Sequence, residues 1–447
     1  PGTVSFISPS GAMGVATLDW ATESRLGFRA FVSIGNNADV DEIELLEYFG
    51  QDPKTKVILL YLESFTNGRK FVEVASRITP LKPVVVVKAG RTYKSLQAIQ
   101  THTGSLAGSA EIADQALKQA GVLVARTSEE LFDYALSLSL APRLKTPSVG
   151  IVTNAGGPGV LAVDELRHTK LIAPELHGTT VRNLRKFIPP AGSTHNPIDV
   201  LGDAPASRFL RAAETTLRDQ NVGGLIAVVT PQTTTDVDAI ATGLGVLRRK
   251  TTKPIVTTLM GGDHVEFGRG ILHENGMPEF ATPERAVAAM NALRWGASKT
   301  RVLKQPLEGK QKLPHKFTRP GAQQLHPLDV HDLLKPYGFK IVPTHLITQA
   351  DDLWHVEFPA VMKVATAKII HKKAVGGVAF VHNLPAAQQA FVEMMRVTRT
   401  AGGRLSEGVL VQPEIEGATE MMLGAKRDPA FGIIVLVGLG GVFVEVA

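Results

Sequence analysis

Cysteine is missing altogether from the 447 residues, which excludes disulfides and thiolate chemistry and leaves the redox compartment open. Long apolar runs are missing too. None reaches the ~18 to 20 residues that span a bilayer, so no membrane partner is expected. The first residues, PGTVSFISPSG, lack the charged leader and apolar core of a secretory signal, and a cytoplasmic setting is the default. Aromatic residues make up only 6% of the chain. None interleaves with the mild basic cluster between Lys299 and Lys316, which therefore reads as solvated surface, and no nucleic acid is expected as a partner. What remains, 44% hydrophobic and 20% charged with a net charge of +6, is an ordinary globular composition. The length suits about three domains of ~150 residues each.

Residues 1–142 alternate short apolar β-branched runs with helical periodicity. Strands are predicted at Val4–Ile7, Phe31–Ile34, Val57–Leu62, Pro83–Lys88 and Val122–Ala125, and helices at 12–25, 39–49, 68–78 and 110–119. This βαβ rhythm predicts a doubly wound parallel sheet, in which ligands bind beyond the carboxyl ends of the strands. Residues 147–297 begin the pattern again, with strands at Val149–Thr153, Gly224–Thr230 and Pro254–Thr258 and a helix at 160–167. A second flavodoxin-like domain is predicted there. Residues 298–322, charged and rich in Pro and Gly, read as a linker. Residues 323–447 form a third region.

Four stretches carry chemistry. Lys88–Ser109, KAGRTYKSLQAIQTHTGSLAGS, is a glycine-punctuated loop whose one histidine, His102, is flanked by Thr and Gly. An accessible imidazole is either a plain surface residue or a nucleophile able to accept a phosphoryl group. Ser10-Gly11 opens a helix directly after a strand and would aim backbone amides at an anion. Asn154–Gly159, NAGGPG, repeats that arrangement in the second domain, with Gly156, Gly157 and Gly159 allowing close backbone approach. Glu63 ends the strand VILLYLE, where it either caps or solvates, or orients an imidazole.

KAGRT followed by THTGSLAGS resembles the phosphohistidine loop of the NDP-forming acyl-CoA synthetases, relatives of succinyl-CoA synthetase whose best-known branch is ADP-forming acetyl-CoA synthetase. The resemblance extends over nearly the whole chain. It implies two succinyl-CoA synthetase-like flavodoxin domains followed by a partial ATP-grasp domain at 323–447. It makes His102 the phosphorylated residue and Glu63, in the YxE strand end, its orienting glutamate. Ser10, Gly11, Gly156, Gly157 and Gly159 become the phosphate-facing positions, and NPID at 196–199 matches a family turn. FPAVMKV at 358–364 resembles the ATP-grasp entry strand, which gives Lys363 a nucleotide phosphate to neutralise. IHKKAVGGV at 370–378 resembles the loop in which a second histidine, here His371, relays phosphate, with Lys373-Ala374 where the family has Ser-Asp. Val411 and Gln412 fall at the hinge that holds adenine. Glu420 would point into the cleft, and Glu445 stands where the acidic Mg²⁺ ligands begin.

On this resemblance the chain is expected to interconvert acyl-CoA, ADP and phosphate with a free small acid such as acetate, CoA and ATP, through acyl phosphate and phosphohistidine. ATP or ADP, Mg²⁺ and coenzyme A are the expected cofactors. The start at Pro1 and the stop just after an apolar run read as features of a fragment, with a CoA-binding domain and the end of the ATP-grasp domain lying elsewhere. A homo-oligomer or an association with those missing domains is expected. The alternative is an acyl-CoA-sensing, synthetase-like part of a protein lysine acetyltransferase fusion, in which the domains would bind without turning over.

Overall fold

The computed structural model describes residues 2–24, 26–92, 94–97, 109–296, 325–369 and 371–440. It divides into two compact units, Pro1–Val302 with Ala425–Val435, and Leu303–Gly424 with Leu436–Ala447. The expected linker and the residues His102 and Glu445 lie outside the described residues.

In the first unit β1 (Val4–Ser8), α1 (Gly11–Glu23), β2 (Phe28–Ser33), α2 (Glu42–Gln51), β3 (Val57–Leu62), α3 (Gly68–Ile78), β4 (Val84–Lys88), α4 (Ala110–Gln119), β5 (Leu123–Ala125) and α5 (Ser128–Leu140) follow in turn. The strands form one parallel sheet in the order β2-β1-β3-β4-β5. Its central strands are continuous Val, Ile and Leu runs because both faces are covered. Val57, Leu59, Val85 and Val87 pack into one apolar cluster, and Ile58, Leu60, Val84 and Val86 into another on the opposite face. Two boundaries differ from the periodicity. The second helix starts at Glu42, not residue 39, because Asp41 and Glu44 form a reciprocal capping box. The second strand starts three residues early, at Phe28.

A second parallel sheet repeats the design. It contains β6 (Val149–Thr153), α6 (Gly156–Leu166), α7 (Gly178–Leu184), β7 (Ile198–Asp199), α8 (Ala206–Leu217), β8 (Gly224–Val229), α9 (Val237–Lys250), β9 (Ile255–Leu259), α10 (Glu266–Glu274), β10 (Glu279–Phe280) and α11 (Pro283–Ala292). The order β10-β9-β8-β6-β7 is the same 2-1-3-4-5 winding read from the other edge. In both sheets the winding reverses beside the first strand, the usual ligand position of such folds.

The two sheets share a core. Leu131, Phe132, Ala135 and Leu136 of α5 join Ala162 and Leu166 of α6 and Ala286, Ala289 and Met290 of α11 in one buried cluster. Trp20 of α1 stacks on Phe132 at 4.2 Å. A buried ion pair crosses the same boundary: Arg285 Nε and Nη2 donate to Asp133 Oδ2 and Oδ1 at 2.8 and 2.6 Å. Arg143 adds a cation–π contact, 4.3 Å above the Trp295 ring.

The second unit contains α12 (Pro327–Leu334), β11 (His345–Ile347), β12 (Ala360–Val364), β13 (Val378–Val381), α13 (Leu384–Thr400) and β14 (Val409–Pro413). Its sheet, β11-β14-β12-β13, is antiparallel throughout. Helix α13 covers one face through Ala387, Phe391 and Met394. A further two-stranded ribbon, β15 (Met421–Asp428) and β16 (Gly432–Leu439), follows. No helix among the described residues is long and apolar enough to cross a membrane.

Candidate active site

At the carboxyl edge of the first sheet, Ser10 caps α1. Its hydroxyl accepts from the Met13 amide at 3.3 Å, and Ser8 Oγ accepts from the Ser10 amide at 3.0 Å. The amides of Gly11 and Ala12 precede the helix's own acceptors and remain for an anion. Nothing lies within 4 Å of where a Gly11 side chain would begin, so a ligand can reach that backbone.

Glu63 follows β3 at the same edge. It lines a cavity of about 60 Å³ with Pro9, Ile34, Gly35, Asn37 and Leu62, between the ends of β1, β2 and β3. The Tyr61 hydroxyl points at Glu63 Oε1, 3.4 Å away. Burial, and then the Glu63 charge, push the Tyr61 phenol up, so it stays a protonated donor. One wall of the cavity is fixed from behind by the buried carboxylate Glu42, which accepts from the Thr66 amide and hydroxyl at 2.8 and 2.9 Å and from Asn37 Nδ2 at 3.1 Å.

Two cations that the motifs did not single out lie at this edge, Lys88 against Glu63 and Arg91 near Lys88. Lys88, the last residue of β4, is 5% exposed, and its ammonium donates to the carbonyls of Glu63 and Ala89 at 2.7 and 2.6 Å. Arg91 pairs with Asp114 of α4 at 3.2 and 3.3 Å. That pair ties together the two ends of the segment in which His102 lies.

The second glycine stretch differs from its reading. The helix begins at Gly156 rather than 160, so NAGGPG supplies its first turn. Thr153 Oγ1 accepts from the Ala155 amide at 3.1 Å, and no side chain caps the next amides. Gly157 faces open space, while a side chain on Gly156 would meet only Asp199 Oδ2 at 3.3 Å. Gly159 does not face an anion. It is buried with its amide committed to Ala155 at 3.4 Å, and a Cβ there would lie 2.9 Å from Thr153 Cγ2. Its glycine lets α6 settle onto β6.

In the second unit the sheet register brings together two residues 49 apart in sequence. Lys363 Nζ donates to Gln412 Oε1 at 2.8 Å, and Gln412 Nε2 donates to Thr344 Oγ1 at 2.8 Å. Burial, and then the neighbouring Lys372 charge, lower the Lys363 ammonium from its ordinary value, while Glu420 acts in the opposite sense. Glu420 is exposed and within electrostatic reach of Lys363. The peptide of Val411 lies between β11 and β12. The pairing runs on to the Glu414 amide, which donates to Pro359 O at 3.1 Å, so open backbone begins only beyond it and the expected hinge contact moves past the strand end. His371 is exposed in the connection between β12 and β13, and that connection is closed by Gly377 N–H to Lys372 O at 2.8 Å. Among the described residues no three His, Asp or Glu converge on a metal position. A nucleotide-borne Mg²⁺ needs only one or two carboxylates beside phosphate oxygens, and Glu445, the expected ligand, lies outside the described residues.

Family models match the chain in three stretches: the succinyl-CoA ligase-like flavodoxin domain at residues 1–138, the Ligase-CoA domain at 149–303 and an ATP-grasp domain at 316–447. Acetate–CoA ligase (ADP-forming) I of Archaeoglobus fulgidus is 37% identical over all of this chain and 66% of its own length. The 4-hydroxybutyrate–CoA ligase (ADP-forming) of Nitrosopumilus maritimus is 32% identical over the same shares. The chain thus spans a little under two thirds of the length of these relatives. Among solved structures, the dinucleotide-forming acetyl-coenzyme A synthetase 1 of Ca. Korarchaeum cryptofilum, in complex with phosphate and ADP, superposes with a TM-score of 0.64 at 35% identity, covering 66% of this chain and 65% of that one. With three consecutive domains matched in family order, the chain belongs to the NDP-forming acyl-CoA synthetase family.

Proposed function

We propose that this chain carries the phosphoryl-transfer and nucleotide-binding parts of an ADP-forming acyl-CoA synthetase acting on acetate or a similar small acid. Inorganic phosphate attacks the thioester carbonyl, and the CoA thiolate leaves with acyl phosphate formed. A nitrogen of His102 then attacks phosphorus, and the carboxylate leaves. Finally a β-phosphate oxygen of ADP takes the phosphoryl group from the imidazole and yields ATP. The reading is carried by Glu63, held at the switch point of the first sheet between the Tyr61 hydroxyl and the Lys88 ammonium.

A carboxylate so placed fixes the tautomer of an imidazole and favours attack by its other nitrogen. The amides of Gly11 and Ala12, at the helix start that Ser10 caps, and those of Gly156-Gly157 supply preorganised donors for phosphate oxygens, the main requirement of phosphoryl transfer. Lys363, Gln412 and the strand end after Val411 receive the nucleotide, and His371 carries the phosphoryl group between the sites. Glu420 faces the nucleotide, and Mg²⁺, for which Glu445 is the proposed ligand, would screen the nucleotide's charge. CoA would bind to a domain on the same polypeptide or on an associated one, in a cytoplasmic homo-oligomer or hetero-assembly.

The test is covalent labelling of the full-length enzyme with radiolabelled ATP. Label should survive alkali and leave in acid, as phosphohistidine does, and His102→Ala should remove both the label and turnover. Turnover of His102→Ala at a near wild-type rate would refute the mechanism.

A further inference from the structure

Lys88 is a buried charge that the proposed chemistry has not used. Strand β4 offers VVVV to both faces of the sheet and then ends in an ammonium only 5% exposed. Burying an ammonium is costly unless it is well satisfied, and a methionine would fill the same volume without that cost. Among the described residues no carboxylate accepts a hydrogen bond from it. Its two acceptors are backbone carbonyls, Glu63 O at 2.7 Å and Ala89 O at 2.6 Å.

The register explains this arrangement. Leu62 of β3 lies opposite Lys88, and the last rung between these strands runs from the Ala89 amide to Leu62 O at 2.9 Å. Beyond that rung both chains leave the sheet: β3 ends at Leu62, and Gly90 turns the other chain away with φ at +81°. The lysine ammonium bridges the two departing chains through Glu63 O and Ala89 O. It thereby clamps the residue carrying the carboxylate to the point where the chain leaves β4 towards His102.

Resting on the function proposed above, we infer that Lys88 is a positioning residue for Glu63. Its ammonium holds the Glu63 peptide, and its charge lies within electrostatic reach of the Glu63 carboxylate. The charged groups around it are Glu63 after β3, Arg91 after β4 and Asp114 from α4. Among the described residues Glu63 alone combines a direct backbone bond to the ammonium with a carboxylate at the carboxyl edge of the sheet. Burial is the main influence lowering the Lys88 ammonium, to about 8, with the Glu63 charge opposing it. The clamp is therefore charged at neutral pH and loses its proton as the pH rises past that value.

The experiment is the rate of His102 labelling by acyl phosphate in the full-length enzyme, followed from about pH 6 to about pH 9.5 in wild type, Lys88→Met and Lys88→Arg. Wild type should lose rate above about pH 8, approaching tenfold per pH unit as expected for one titrating group. Lys88→Met should be ~10²-fold slower, the low end of losing an oriented acid–base partner, with KM for acyl phosphate little changed and the alkaline fall absent. Lys88→Arg should retain a substantial part of the rate and move the fall beyond the tested range, because guanidinium does not deprotonate there. An alkaline fall left in place in Lys88→Met, or a wild-type rate in that variant, overturns the inference. If Lys88→Met does not fold, an unmoved fall in Lys88→Arg does the same. Label persisting in His102→Ala would strike the proposed function instead, so the two failures are separable.

Discussion

Replacing Arg285 by methionine should destabilise the first unit far more than its place on α11 suggests. The guanidinium is 31% exposed, but the carboxylate it serves, Asp133 on α5, is only 4% exposed. Arg285→Met keeps most of the apolar stem and removes both bonds to Asp133, leaving a buried charge without its partner. Breaking a buried pair in this way costs about 3–5 kcal/mol. The reverse change, Asp133→Ala, should cost less, because Arg285 retains Glu129 at 2.9 Å and reaches water.

The pH dependence follows from the same burial. Desolvation pushes the Asp133 carboxyl above its ordinary value even with Arg285 present, since burial outweighs the hydrogen bonds and charge of the arginine. An acid whose folded pKa is raised binds more protons folded than unfolded. Its burial penalty is absent below the unfolded pKa and grows as the pH rises through the folded one. Without Arg285 the folded value rises further, so the deficit of Arg285→Met should be largest near neutrality and should shrink on acidification. By calorimetry, about 3–5 kcal/mol in a unit of this size corresponds to a Tm lowered by about 5–8 °C. A fall of less than about 2 °C, or a deficit that grows on acidification, would refute the reasoning.

Two further outcomes concern the ligand sites. Asp199→Asn keeps an acceptor for the Leu201 amide, now held at 2.8 Å, and removes a negative charge from beside the start of α6. KM for inorganic phosphate should fall ~3- to 10-fold, the size of one partly screened charge interaction, and an unchanged or higher KM would remove phosphate from that helix end. Lys363→Met removes the ammonium that meets Gln412. It should weaken ADP binding by calorimetry ~10- to 100-fold, as loss of a charge-assisted hydrogen bond does, without slowing His102 labelling by acyl phosphate. Equal damage to both would mean that Lys363 serves the fold.

The strands were legible because runs such as VILLYL and VVVVK are buried on both faces, which leaves an unbroken apolar signature. Helix starts were less so. Asp41 and Gly156 set them through capping and backbone freedom, which hydrophobic periodicity does not register. Ser10 and Glu63 could be placed at the carboxyl edge of the sheet since both follow a strand closely. Lys88 could not, because a lysine closing an apolar run ordinarily marks the exit to solvent. Its burial depends on the pairing with Leu62 and the turn at Gly90, which only the folded chain sets. Gly159 misled for the opposite reason: its spacing fits an anion loop, but its lack of a side chain serves Thr153. The link between Lys363 and Gln412 likewise depends on antiparallel register across 49 residues.

The apolar cluster that runs from α5 through α11 into α6 has a consequence for how the chain can be divided. Each sheet looks self-sufficient in sequence, with its own winding and its own reacting edge. Yet Phe132, Leu136 and Met290 are buried by partners from both. A break in the backbone near residue 145 would therefore leave two pieces, each with a raw hydrophobic wound on the side where the other belonged. Such halves are suited to complementation rather than independence: they would recover their form by finding each other. The boundary between the two matched domains is thus not a boundary of stability, and the unit that folds and melts is the pair.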